Sequence, residues 1–198
     1  VALIASAKHN RRGQLGNQTL KGRTALVTGA SQGIGLASAR ALAEDGAAVV
    51  ITARGAEKLA KARDALLAAV PGARIEMLAG DATDEAHVKA ALALAHGIAG
   101  RLDIIVSVVG DPVFKPLLMR DYQSVRQEFD LNFGTAFLLV RHGVPLLGKG
   151  GAIVCVSSAA ATQTNFGLSI YASAKAALER FGKAAAFEWG GAGIRINA

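Results

Sequence analysis

Tyr171 and Lys175 stand four residues apart in the stretch "SIYASAK". Four residues is about one helical turn, so the two side chains share a face. A free phenol holds its proton up to about pH 10, and a cation beside it draws that value toward neutrality. Such a pair can hand over a proton at physiological pH, or it can be an aromatic and a lysine that merely share a face. Ser158 lies in "VSSAAA", thirteen residues before Tyr171, and its hydroxyl can hydrogen-bond a carbonyl oxygen. Asn132 sits inside an apolar helical pattern, "FDLNFGTAF". Asparagine is a poor residue for a helix interior, so a local kink involving its backbone carbonyl and a water is expected there. Asn132, Ser158, Tyr171 and Lys175 are the candidate catalytic residues, and Ser158, Tyr171 and Lys175 are expected to converge on one small carbonyl or alcohol.

A second group of residues suits a dinucleotide. "TGASQGIG", residues 28–35, follows an apolar run and opens a helical one, which is the context a phosphate-binding turn requires. Gly29 permits the tight turn, Gly33 lets the backbone approach a phosphate, and Gly35 allows the helix to pack close on the strand. The helix start offers amides and a positive dipole to a pyrophosphate, so Thr28, Ser31, Gln32 and Ile34 join the candidate contacts. The second apolar run ends in Ala53-Arg54, with no acid to grip the two ribose hydroxyls of NAD. Arg54 can instead pair with the 2′-phosphate of NADP. Asp81, in "GDA" with Ala82, can accept from an adenine amino group, and Gly110 leaves room for the cofactor.

The elements that must position these residues alternate. Strands are expected at 24–29, 47–53, 73–80, 102–110, 151–159 and from 194, with helices at 33–46, 56–70, 84–99, 121–147 and 169–189. Strands apolar throughout and separated by helices mean a parallel sheet covered on both faces. The expected fold is α/β, a doubly wound Rossmann-like three-layer sandwich with ligands at the carboxyl ends of its strands.

Composition narrows the rest. The 198 residues are 52% hydrophobic and 19% charged, enough for one domain with a sizeable core. No apolar run is long enough to span a membrane. The one cysteine, Cys155, excludes an internal disulfide and a cysteine-cluster metal site, and it reads as a thiol packed in a strand. The four histidines lack metal-ligand spacing and read as surface or helix-end residues; no metal is expected. The net charge of +7 comes largely from the first 23 residues, which carry Lys8, Arg11, Arg12, Lys21 and Arg23 but no acid. Residues 1–22 are therefore expected to form a flexible basic extension rather than a nucleic-acid-binding face, though their paired arginines also fit a targeting remnant. The domain begins at 23, and a cytoplasmic location is expected.

Together these residues resemble the short-chain dehydrogenase/reductase family over 23–198. Its cofactor turn falls on Thr28, Gly29, Gly33 and Gly35, and its Asn–Ser–Tyr–Lys tetrad on Asn132, Ser158, Tyr171 and Lys175. The resemblance implies hydride transfer between NADP(H), the preferred cofactor, or NAD(H) and a carbonyl or secondary alcohol. Tyr171 would be the general acid/base, Ser158 the donor to the substrate oxygen, Lys175 also a holder of the nicotinamide ribose, and Asn132 the anchor of a relay water. A homotetramer is implied as well, in keeping with surplus apolar residues on the helices at 121–147 and 169–189. Two alternatives stay open: a reductase of 3-oxoacyl thioesters on acyl carrier protein, and a non-catalytic dinucleotide sensor or scaffold. The chain departs from the family pattern in three places. It reads "SVVG" at 107–110, with Ser107 and Val108 where two asparagines are usual. Gln32 stands where many NADP-preferring relatives carry a second basic residue. The family's carboxyl-terminal lid and last strand are expected to be missing after Ala198.

Overall fold

The computed structural model describes residues 18–198. β1 (Thr24–Thr28) is buried along its whole length, as a central strand covered on both faces must be. It leads through the glycine turn into α1 (Gly33–Glu44), and the pattern repeats as β2 (Ala48–Ala53), α2 (Ala56–Ala69), β3 (Ile75–Ala79), α3 (Glu85–Gly97) and β4 (Leu102–Ser107). The second half runs through α4 (Tyr122–Phe129), α5 (Thr135–Gly143), β5 (Leu147–Cys155), α6 (Ser169–Gly190) and β6 (Arg195–Asn197). All six strands are parallel, in the order β3-β2-β1-β4-β5-β6. The order reverses between β1 and β4, which opens a crevice at their carboxyl ends.

Alternation along the strands divides the core in two. Ala25, Val27, Val49 and Ile51 pack with Leu59 and Leu66 under α1 and α2. Leu26, Val50, Ile105 and Ile153 pack with Leu92, Leu139 and Leu178 under α3, α5 and α6. On the α1–α2 face, Val154 of β5 remains 42% exposed.

Four expectations need correction, the first being the strand expected over 102–110, which ends at Ser107. The single helix expected over 121–147 is two helices joined by a wider π turn, Asp130–Gly134, and ends in a 3-10 turn, Val144–Leu146. Asn132 lies at the centre of that π turn, where the kink was expected. β5 starts four residues before 151 and ends at Cys155 instead of 159, because Leu147 pairs with Leu102 ahead of a register shift that absorbs the glycine-rich segment. Of residues 1–22, residues 18–22 are docked: Leu20 N donates to Asp45 O at 2.9 Å and Thr19 N to Asp45 Oδ1 at 3.2 Å. Residues 1–17 lie outside the described residues.

At the amino ends of the central strands Asp103 is 4% exposed. It accepts from Arg23 Nη1 at 2.6 Å, Thr24 N at 2.9 Å and Arg101 Nε at 3.1 Å. Burial alone would raise its pKa, but these donors outweigh burial and hold it below the usual carboxylate value. No described helix is long and apolar enough to cross a membrane, and no described group of acids, histidines and cysteine could hold a metal ion.

Candidate active site

The crevice between β1 and β4 is a cleft of about 600 Å³. Thr28, Gly29, Ser31, Gln32, Gly33 and Ile34 form its floor, Arg54, Asp81 and Ala82 one end, and Gly110 the other. Gly29 has φ +65°, a left-handed conformation that glycine adopts without penalty. Gly35 lies behind the cleft rather than on it: a Cβ there would stand 2.4 Å from Gly29 O. Helix α1 can therefore start tight against β1 only with glycine at 35. A Cβ on Gly33 would meet nothing within 4 Å, so the first turn of α1 faces open space. Ile34, in that turn, is 60% exposed. Open backbone amides beside an apolar side chain fit a pyrophosphate flanked by the apolar faces of a dinucleotide.

At 107–110, where the chain departs from the family pattern, backbone groups make the contacts to the neighbouring strands. Val108 N donates to Thr28 Oγ1 at 3.2 Å, and Ser107 O accepts from Val156 N at 2.8 Å. The segment after β4 is thereby tied to β1 on one side and to the end of β5 on the other.

At the Arg54 end, sequence reasoning missed a second cation. Lys58 of α2 lines the cleft and its Nζ donates to Gln32 Oε1. Its spacing, four residues after Arg54, was the available signal; its reach across to the glycine turn depends on how α2 packs. Asp81 accepts from Thr83 N at 2.9 Å and from Thr83 Oγ1 at 2.8 Å. The Thr83 amide bond is the main cause of its lowered pKa. His87, in the first turn of α3, is half-buried behind this corner, with Nε2 2.7 Å from Thr52 Oγ1.

At the other end Gly110 joins the cleft to the candidate catalytic residues. A Cβ on it would lie 2.8 Å from both Asn132 Oδ1 and Lys175 Nζ. Lys175 is 2% exposed, its Nζ donates to Val156 O at 2.9 Å, and it stands 5.9 Å from the centre of the Tyr171 ring. Burial pushes the pKa of this ammonium below its usual value. Ser158 follows β5 and caps the short turn Ala159–Ala161; its Oγ accepts from Ala160 N at 3.2 Å, which leaves the hydroxyl proton to be donated elsewhere. Asn132 is buried, and its side chain holds Asp111 in both directions, Oδ1 accepting from Asp111 N at 2.9 Å and Nδ2 donating to Asp111 O at 3.1 Å. Asn132 and Lys175 thus meet at Gly110, whereas no hydrogen bond joins Ser158 to Tyr171 among the described residues. Cys155, 1% exposed at the end of β5, has its thiol pKa pushed up to about 11, chiefly by burial.

This fold recurs in known proteins. The sequence profile described as short chain dehydrogenase matches residues 23–198. The chain belongs to the short-chain dehydrogenase family. It is 37% identical over 185 residues to the hydroxynaphthalene reductase-like protein Arp2 of Metarhizium robertsii, covering 91% of this chain and 68% of that protein. It is 34% identical to an oxidoreductase of Escherichia coli, YghA, covering 92% of this chain and 63% of the relative. A dehydrogenase/reductase of Sinorhizobium meliloti superposes with a TM-score of 0.86 at 32% identity, over 92% of this chain and 72% of that one. A short chain dehydrogenase of Burkholderia cenocepacia, solved in complex with NADP, gives 0.84 at 33% identity, over 89% and 72%. The chain therefore spans about two thirds of the curated relatives' length. Family membership and reductase relatives support an NAD(P)-dependent oxidoreductase.

Proposed function

We propose that this short-chain dehydrogenase reduces a carbonyl to a secondary alcohol with NADPH, with Tyr171 as the general acid. The observation that carries this reading is the meeting at Gly110. There the cleft lined by the glycine turn runs directly against Lys175 Nζ and Asn132 Oδ1. A bound nicotinamide supplies the hydride. Tyr171 gives its phenolic proton to the carbonyl oxygen while Ser158, whose proton is uncommitted, donates to the same oxygen as charge develops on it. Lys175 places its ammonium beside the phenol ring, and the phenolic proton is restored from solvent through Lys175 and a water held on the Asn132 backbone carbonyl. Asn132 acts through its backbone because its side chain is spent on Asp111 and Glu128.

NADP is favoured over NAD because two cations, Arg54 and Lys58, stand at the end of the cleft and no acid replaces Ala53. The Burkholderia relative's NADP complex is in keeping with that choice. For the substrate we favour an aromatic fused-ring ketone. Phe114 and Phe166 are 73% and 87% exposed, on segments joined by a hydrogen bond from Lys115 N to Gly167 O at 2.9 Å. The name of the Metarhizium relative points to the same chemistry. Exposed Phe187 and Trp189 on α6 favour a homo-oligomer, as a tetramer, which light scattering tests.

The deciding experiment is NADPH oxidation with 2-tetralone, an aliphatic ketone and an acetoacetyl thioester in parallel. Tyr171→Phe is expected to lower kcat by about 10²–10⁴ while NADPH affinity stays within a few-fold. Retention of a tenth of the activity would remove Tyr171 from its role, and faster turnover of the thioester would transfer the reading to 3-oxoacyl reduction.

A further inference from the structure

Arg120 and Glu128 form an ion pair in which each side chain is only 2% exposed. Hydride transfer makes no demand for a buried charge pair at this place. Well-packed apolar residues of the same volume are often as stabilising or more so. What distinguishes this pair is where its other hydrogen bonds go. Arg120 Nη2 donates to Val113 O at 2.5 Å and Nε to Lys115 O at 3.2 Å. Glu128 Oε1 accepts from Val113 N at 3.3 Å. Together they fix residues 113–115, next to Asp111, whose backbone Asn132 holds. The backbone carbonyl of Glu128 accepts from Asn132 Nδ2 at 2.9 Å, one turn further along the same helical segment. Lys115 N carries the connection on to Gly167 O at 2.9 Å, in the segment that leads into α6 and Tyr171.

We propose that the Arg120–Glu128 pair is a positioning device that locks residues 111–117 and 162–168 into one rigid wall and seats Asn132 against Lys175. Its assignment to substrate positioning rests on the reductase reading above; the mechanical coupling does not. Arg120 is suited to the task because its planar fork can hold a carboxylate and two carbonyls at once, which a lysine ammonium cannot match in geometry. The end of the cleft at the glycine turn and the ends of β2 and β3 lies away from the pair and keeps its shape when the pair is lost, whereas Gly110 and Asp111 at the other end border the locked segment.

The test separates positioning from stability. Arg120→Met and Glu128→Leu each leave one buried charge without a partner and lower Tm. The double variant removes both charges and regains most of that loss. In the double variant, amide hydrogen exchange in 111–117 and in 162–168 is expected to speed up together, by roughly tenfold or more. Affinity for 2′,5′-ADP, which needs only the glycine-turn and Arg54 end of the cleft, should stay within about threefold of the parent, while KM for 2-tetralone rises about tenfold. A double variant with parental Tm, exchange and KM would overturn the proposal, and so would faster exchange confined to 111–117. Should the double variant fail to fold, Arg120→Lys keeps the charge opposite Glu128 but loses the paired carbonyl contacts, and the same readouts apply. If the parent protein reduces no ketone, the functional reading fails while the exchange result still decides the coupling.

Discussion

At the scale of the residue, Lys58 adds a second cation to the Arg54 end of the cleft. Tyr171 and Lys175 lie one helical turn apart, so spacing alone placed them together, and the glycines of the turn are likewise neighbours. Contacts between distant segments left no such trace in the sequence. Lys58 meets Gln32 across 26 residues, and Asn132 meets Asp111 across 21. The Lys58 contact changes the expectation for cofactor choice, since Gln32 no longer stands for an absent cation. Arg54→Leu and Lys58→Met should each weaken 2′,5′-ADP binding by roughly tenfold, in line with about 1.5–3 kcal/mol for a charge-assisted hydrogen bond less its solvent screening. Binding of 5′-AMP should hardly change. Calorimetry with the two nucleotides checks this, and the loss should shrink at high salt. Equal affinity of the parent for both nucleotides would remove Arg54 and Lys58 from cofactor choice.

At the scale of the element, periodicity identified every strand and helix that positions the cleft, because each buries a face and so repeats its apolar residues. The boundaries were less legible. The π turn at Asp130–Gly134 keeps an apolar helical pattern on either side, so it appeared as one long helix with a misfit asparagine. Residues 148–151 look like a loop because glycine-rich segments usually are one, yet Leu147 pairs with Leu102 before them. The tightest joint is between β1 and α1. Gly35→Ala would place its new methyl 2.4 Å from Gly29 O, and both elements there are backbone with nowhere to yield. The start of α1 must move away from the turn. We expect a stability loss of about 1–3 kcal/mol and at least a tenfold loss of NADPH affinity, measured by thermal melting and fluorescence titration. An unchanged affinity would mean that the turn does not carry the pyrophosphate.

At the scale of the whole molecule, the sheet is held at both ends by different means. The carboxyl ends of the strands are open for chemistry, whereas the amino ends are fastened through Asp103 to Arg23, Thr24 and Arg101. Because the pKa of Asp103 is lowered on folding, its contribution is present in full above the unfolded carboxylate value, about pH 4. It is lost as pH falls through the still lower folded value. Asp103→Asn should therefore cost on the order of 2 kcal/mol at neutral pH, with the gap between variant and parent closing toward acid. Melting curves from neutral pH to about pH 3 test the sign; a gap that widened toward acid would contradict it.

Cys155 makes this sheet observable without any substrate. It is the chain's one thiol, sealed at the end of β5, and a thiol whose pKa stands near 11 is almost wholly protonated at neutral pH. Since thiolate is the reactive form, an aromatic disulfide reagent should leave the native protein unlabelled until β5 detaches from its neighbours. The labelling rate then clocks that detachment, with one reporter and no background from other sulfhydryls. Where reclosing is fast, the rate gives the free energy of opening at the strand that delivers Ser158. A saturating nucleotide that tightens the molecule should slow the clock, giving a binding assay that works whatever the enzyme's natural substrate proves to be.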